Sequence, residues 1–438
     1  MQDPIDASGA KGVENRSQER IVLLTLAAVQ FTSIVDFMVI MPLGPQLMRS
    51  LEIGPAQFGL VVSSYTLAAG IAGLVASSLA DRFGRKVAFL GLNSGFLVGT
   101  LLCGLAPTYT TLVWARLATG AFGGILGGMA LAIIGDVFPE ERRGRATGAL
   151  MSAFALASVV GVPFGLYLGT RFGWHAPFLL LAALGCPVLA IAAVTLPPLR
   201  GHISQGAAQL HPLRLLIDTF TLPNHLNAFA LVVALMFSGF SVFPYVSTYL
   251  VSNVGMAESK LPLLFVAGGL LTLITSPLIG RLADRYGKLR VFRIVAPASA
   301  VMTLVVTNLA PVPTAVAVGV VAALMVSNSG RMVAAMAMIT GSVTPARRGG
   351  FMSASSSVQH LAAGLGAYLG GLIIVESTDR SLQNFPIVGV LSAIATILSL
   401  WLVGRIRPAT AESESSISAN QALAAAAEAM CDATEPVV

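Results

Sequence analysis

The chain has 438 residues, of which 55% are hydrophobic and only 11% charged, with a mean hydropathy of +0.81. A water-soluble protein carries about a quarter charged residues. So little charge cannot solvate a folded surface, which excludes a soluble globular domain and makes lipid the expected solvent.

Taken in chain order, the apolar runs cover 21–45, 56–79, 87–106, 111–135, 147–170 and 174–196. After a polar interval they resume at 224–250, 261–282, 291–310, 313–341, 352–375 and 385–404. Each is long enough to cross a ~30 Å hydrocarbon core at ~1.5 Å per residue. The expected fold class is an all-α membrane protein of twelve transmembrane helices, spans 1 to 12. With both termini on one side, Arg49, Arg171, Lys260 and Arg380 lie on the far face and Arg116 and Arg331 within spans. Every other Lys and Arg then lies on the near face, which the positive-inside rule makes cytoplasmic. The net charge of +6 is therefore topology, and no nucleic acid partner is expected.

Residues 1–20 lack a short apolar core with a small-residue cleavage site, and read as a cytoplasmic leader. Residues 21–196 form one six-helix bundle, 197–223 a cytoplasmic linker and 224–404 a second bundle. The Ser-, Ala- and Glu-rich stretch 405–438 predicts a disordered cytoplasmic tail. Cys103 and Cys186 fall in apolar runs and Cys431 in the tail, so no disulfide framework is implied.

The two bundles repeat one another. Leu79-Ala80-Asp81-Arg82-Phe83-Gly84-Arg85-Lys86 recurs as Leu282-Ala283-Asp284-Arg285-Tyr286-Gly287-Lys288, so that Arg85 corresponds to Lys288. The Arg142-Arg143-Gly144 that follows Pro139 recurs as Arg347-Arg348-Gly349 after Pro345, and Pro42 corresponds to Pro244. Landmarks at nearly constant spacing indicate duplication, with both copies in the same orientation.

These residues resemble the major facilitator superfamily over essentially all of 21–404. The loop 2–3 signature Gly-x-Leu-Ala-Asp-Arg-x-Gly-Arg-Lys is matched by 77–86 except that Ser77 replaces the first Gly; the second copy carries Leu289 at the second basic position. Span 4 has Arg116 and Gly120 in the Arg-x-x-x-Gly pattern, with Thr119 where Gln is commoner. Span 5 carries Gly161, Pro163 and Gly165, part of the antiporter motif of the superfamily. The chain is most similar to the twelve-helix bacterial drug/metabolite:proton antiporter group, to which Asp36 to Pro45 and Asn328 to Met332 also belong by pattern. The resemblance implies two pseudo-symmetric six-helix bundles rocking about a midplane site. It also implies a conformational latch at Asp81, Arg82, Gly84, Arg85, Asp284, Arg285 and Gly287.

Asp36 lies about 22 Å into span 1 by the helix rise. A carboxylate there is costly unless paired or protonated, which suits proton coupling; a structural ion pair is the alternative. Arg116 lies at comparable depth in span 4, so an Asp36–Arg116 pair is expected. Arg331, beside Asn328 in span 10, has no acid at its own depth in the second bundle and is expected to face the cavity or substrate. His360 in span 11 is a second candidate for proton coupling. Phe240 and Tyr245 in span 7, with Ser238 at the repeat position of Asp36, are candidate cavity residues for amphipathic or aromatic substrates.

The expected function is alternating-access secondary transport, proton-coupled efflux of small amphipathic drugs or metabolites, with a small molecule, protons and the bilayer as partners. A monomer suffices for this fold, and the expected location is a bacterial inner membrane. Two alternatives stay open: a proton-coupled uptake symporter for an organic acid or sugar, and a non-transporting sensor on the same fold. No cofactor or metal is expected. No Walker sequence occurs, and no His, Cys or acidic cluster has nucleophile or metal spacing, so an enzyme is not expected.

Overall fold

The computed structural model describes residues 16–79, 84–197, 220–344 and 348–409. In chain order the helices are α1 (Arg16–Val39), α2 (Gly44–Ser50), α3 (Pro55–Leu79), α4 (Arg85–Gly104), α5 (Tyr109–Val137), α6 (Glu140–Leu156), α7 (Val162–Phe172) and α8 (Ala176–Thr195). They continue as α9 (Pro223–Ser252), α10 (Leu261–Tyr286), α11 (Lys288–Thr307), α12 (Thr314–Gly341), α13 (Arg348–Ile373) and α14 (Phe385–Val403). A hairpin of β1 (Val375–Glu376) and β2 (Leu382–Gln383) precedes α14.

Two spans depart from single straight helices, and proline explains both. Span 1 ends as α1 at Val39, because Pro42 has no N–H for the helical ladder; the chain turns through 40–43 and restarts as α2 with Pro45 in its first turn. Span 5 is α6 and α7 joined by a π turn, Ala157–Gly161. Pro163 cannot donate to the preceding turn, and the wider turn absorbs the missing bond.

Eleven described helices are long and apolar enough to span a bilayer. The twelfth, α13, has the length, 26 residues, but its surface is largely Gly, Ser and Ala. Two of its sides pack on helices: Leu361 approaches Gly70 and Ser357 approaches Gly73 of α3, while Gly366 and Gly370 lie on α9, and Leu365, Leu369 and Leu372 are exposed. Small side chains admit that close approach.

Because successive spans alternate in direction, one end of the molecule carries the basic junctions 84–85, 138–143 and 286–290, here the basic end. Three buried apolar groups show how the halves meet. At the opposite end a single core joins both halves, with Val39, Leu47, Phe58 and Leu166 packed in one body with Tyr245, Leu250, Phe265 and Phe385. At the basic end there are two cores, one per half. Leu26, Phe89, Phe96, Ile133 and Leu150 form the first; Leu231, Phe292, Ile339, Phe351 and Leu402 form the second. The apolar core is thus shared by the halves at the opposite end and divided between them at the basic end.

The seal is polar as well as apolar. Arg49 of α2 makes a two-pronged bond to Glu258, at 2.6 and 3.1 Å, and that bond holds the Arg49 proton still more firmly than in water. Asn253, just past α9, clamps the hairpin by donating to the Leu382 carbonyl at 3.1 Å and accepting from its N–H at 2.9 Å. At the hairpin tip the hydroxyl and amide of Ser381 hold the Asp379 carboxyl below the usual range.

Candidate functional site

Asp36 sits one turn before α1 breaks, and its side chain is fully buried. Its carboxylate accepts from Arg116 Nη1 at 2.8 Å and from the Thr100 hydroxyl at 3.1 Å. The same Nη1 reaches the Asp36 carbonyl at 3.4 Å. Arg116, on α5, is also fully buried, and its guanidinium carbon lies 4.5 Å from the centre of the Tyr65 ring. Each ion alone would cost several kcal/mol to desolvate. A short charge-assisted bond, a hydroxyl donor and an aromatic face together offset that cost. The pair expected from matching depth is present, enclosed by α1, α4 and α5, with Tyr65 of α3 against it.

A contiguous path leads from this charge to the other half. Phe37, the residue after Asp36, stacks on the Tyr65 ring with centroids 5.2 Å apart. Its other neighbour is Phe240 of α9, at 5.9 Å. Phe37 and Phe240 are only partly buried and meet at the edge of the core that the two halves share. One ring, Tyr65, therefore touches both the arginine of the ion pair and the residue that bridges the halves.

The remaining span 7 candidates lie elsewhere. Ser238 is buried against α14, donating to the Leu235 carbonyl at 3.0 Å while its own carbonyl accepts from Ser392 at 2.6 Å. Tyr245 belongs to the seal: its hydroxyl donates to the Ala367 carbonyl at 2.5 Å and its ring meets Phe58 edge-on at 5.8 Å.

In the second half Arg331 is 4% exposed and has neutral partners. It donates to the Thr396 hydroxyl at 2.7 Å and to the Asn328 side-chain oxygen at 3.0 Å, which also accepts from Ser299 at 2.8 Å. No acid pairs with it among the described residues. His360 is half-buried and lies on α13 between the face that meets α3 and the face that meets α9, on the side of Ser353 and Ser356, which are exposed toward the basic end. It therefore shares the face of α13 that carries those exposed serines. Sequence reasoning missed Gln30 on α1, whose amide oxygen lies against Gly127 of α5. A mid-span glutamine was the available signal. Among the described residues no group of His, Cys, Asp and Glu could hold a metal ion.

Comparison with known proteins decides the family. The pattern of the Major Facilitator Superfamily matches residues 26–250 and again 228–433. The chain belongs to the major facilitator superfamily. It is 25% identical to the MFS-type transporter YceJ of Bacillus subtilis over 378 residues, 86% of this chain and 93% of YceJ. A shorter stretch of 129 residues, 30% of this chain, is 36% identical to multidrug resistance protein 3 of Bacillus subtilis, of which it covers 25%. Among solved structures, a bacterial homologue of the human lysosomal transporter Spinster, in an inward-facing conformation, superposes with a TM-score of 0.71 at 16% identity. That match covers 89% of this chain and 97% of the homologue. The protein is an integral membrane transporter of small molecules, not an enzyme.

The superfamily's loop signature can be placed in part. Asp81 and Arg82 lie outside the described residues. Gly84 opens α4, and Arg85 forms an ion pair with Asp136 at the end of α5. Arg142 pairs with the buried Glu19 of α1 at 2.7 Å. In the second copy Asp284 is exposed with no ion-pair partner among the described residues, and Arg285 lies over the Tyr286 ring. Gly287 closes α10 and opens α11 at φ +94°, a conformation that suits glycine. In the span 5 motif, Gly161 and Gly165 lie against Val35 and Val39 of α1, bringing that span onto the Asp36 helix. Pro163 follows the π turn.

Proposed function

We propose that this transporter exports small amphipathic compounds in exchange for protons, by alternating access, with Asp36 as the carboxylate that gains and loses the proton. The observation that carries this reading is the Asp36–Arg116 pair, fully buried and joined through Tyr65 and Phe37 to Phe240 of the opposite half. Protonating Asp36 leaves Arg116 as an uncompensated buried cation, worth several kcal/mol. The guanidinium then has reason to move, and Tyr65 and Phe37 move with it. The contact between Phe37 and Phe240 is thereby tied to the charge state of one carboxylate.

The aromatic and methionine cluster, with Phe31, Phe37, Met38 and Phe240 partly buried, favours an apolar or aromatic portion of substrate. Gln30 and His360 supply polar contacts. With the basic end cytoplasmic, as the positive-inside rule requires, this conformation is closed outward, in a bacterial inner membrane with both termini inside. Each chain contains a full set of twelve spans for its own pathway, which supports a functional monomer. The likeness of one stretch to multidrug resistance protein 3 favours drug-like substrates. The Arg85–Asp136 and Arg142–Glu19 pairs hold the basic-end loops to their own half, as a latch that re-forms across the halves requires.

The test is substrate-driven proton movement in proteoliposomes of wild type and Asp36→Asn, screened with cationic dyes, antibiotics and organic acids. Import of an acid or sugar down a proton gradient, with no exchange, would replace export by symport.

A further inference from the structure

The internal repeat sets a cation pair of the first half beside its counterpart in the second. In the first half Arg85 is neutralised by Asp136, and Arg143 donates at 2.8 Å to the Gly135 carbonyl near the end of α5. Both cations are occupied within their own half.

Arg85 corresponds to Lys288 and Arg143 to Arg348 by the two repeated motifs. Counted back from Pro139 and Pro345, Gly135 stands against Gly341 and Asp136 against Ser342, at the end of α12. The carboxylate is gone. Lys288 Nζ has only the Ala337 carbonyl, at 3.4 Å, and the Gly341 carbonyl accepts from the Ala409 N–H at 3.0 Å rather than from an arginine. Arg348 is exposed, and neither cation has a carboxylate among the described residues. Where the first half closes on an ion pair, the second half has an open cavity of about 500 Å³ lined by Lys288, Met336, Ala337, Thr340, Gly341 and Arg348.

We infer that this cavity is a binding site for a phosphate-bearing anion at the basic end, in which the ligand supplies the negative charge that Asp136 supplies to Arg85 in the first half. Lys288 and Arg348 supply the charge, Thr340 a hydroxyl, and Met336 and Ala337 an apolar wall suited to the carbon next to the phosphate. A basic pocket between spans at the cytoplasmic face is where anionic lipid headgroups bind. A soluble phosphate would use the same groups. The site is distinct from that of the Asp36–Arg116 pair and does not rest on Asp36 carrying the proton.

The experiment follows the unfolding temperature of the full chain in detergent during titration with phosphatidylglycerol, phosphatidylcholine or inorganic phosphate at constant ionic strength. Thr340→Asp places a carboxylate in the cavity beside Lys288 and Arg348, so it should remove the stabilisation by phosphatidylglycerol without loss of stability in its absence. Lys288→Gln should weaken the apparent affinity about five-fold, and Lys288→Gln with Arg348→Gln about 25-fold. Stabilisation by phosphatidylglycerol alone assigns a lipid headgroup; stabilisation by inorganic phosphate as well assigns a soluble ligand to the same site. If phosphatidylglycerol and phosphate do no more than phosphatidylcholine, or if all variants respond like wild type, the proposal is overturned.

Discussion

Arg116 reaches Asp36 across the first half at 2.8 Å, and neither side chain has any exposed surface. Removing one partner strands the other ion in apolar surroundings. Arg116→Leu should therefore destabilise the protein by about 3–5 kcal/mol. The double replacement Asp36→Leu with Arg116→Leu should recover most of that loss, since it removes the stranded ion together with its partner. Thermal unfolding in detergent checks this, and additive losses in the double variant would show that the pair does not interact.

Glycine at position 59 is set by the seal. A β-carbon there would strike the Tyr245 hydroxyl and come within 2.9 Å of the Ala367 carbonyl. Gly59→Ala should disfavour closure of the opposite end by about 1–3 kcal/mol, the usual cost of overpacking. Tyr245→Phe in the same chain should restore part of it by removing the struck atom. Spin-label distances between Arg171 and Lys260 positions, one on each half at that end, report the closure directly.

Arg49 and Glu258 tie the two halves at the same end, and the arginine side chain is about half exposed, at 49%. Such a pair contributes at most about 1 kcal/mol. Glu258→Gln should shift the same distance distribution toward the open form by up to about five-fold in population, and less at high salt. An unchanged distribution at low salt would remove the pair from the gate.

The two loop glycines of the repeat should differ in tolerance. Gly287 has φ +94°, whereas Gly84 has φ −58°. Gly287→Ala should cost about 1–2 kcal/mol, and Gly84→Ala should cost less than half of that. Unfolding temperatures of the two variants, compared side by side, give the answer.

Much of this architecture is legible in sequence because hydropathy and charge bias are physical consequences of a bilayer. The twelve spans, the duplication and the equal depth of Asp36 and Arg116 all follow from counting residues along helices. What was not legible depends on partners far apart in the chain. Asp136 and Glu19 look like ordinary charges near an interface until Arg85 and Arg142 are placed beside them. The partners of Arg331 are neutral, and one of them, Thr396, lies on another helix. Span 11 is weak in hydropathy because small and polar residues such as Ser357, Gly364, Gly366 and Gly370 make its close contacts with α3 and α9. The π turn before Pro163 has no sequence signal beyond the proline itself.

The central claim is that Asp36 carries the coupled proton. Substrate-triggered proton flux in proteoliposomes, wild type against Asp36→Asn, tests it most directly, with correct folding checked by binding of the same substrate. The account predicts that substrate still binds to Asp36→Asn while proton movement is lost. Proton movement of wild-type size in that variant would contradict it and transfer the proton to another group, His360 first.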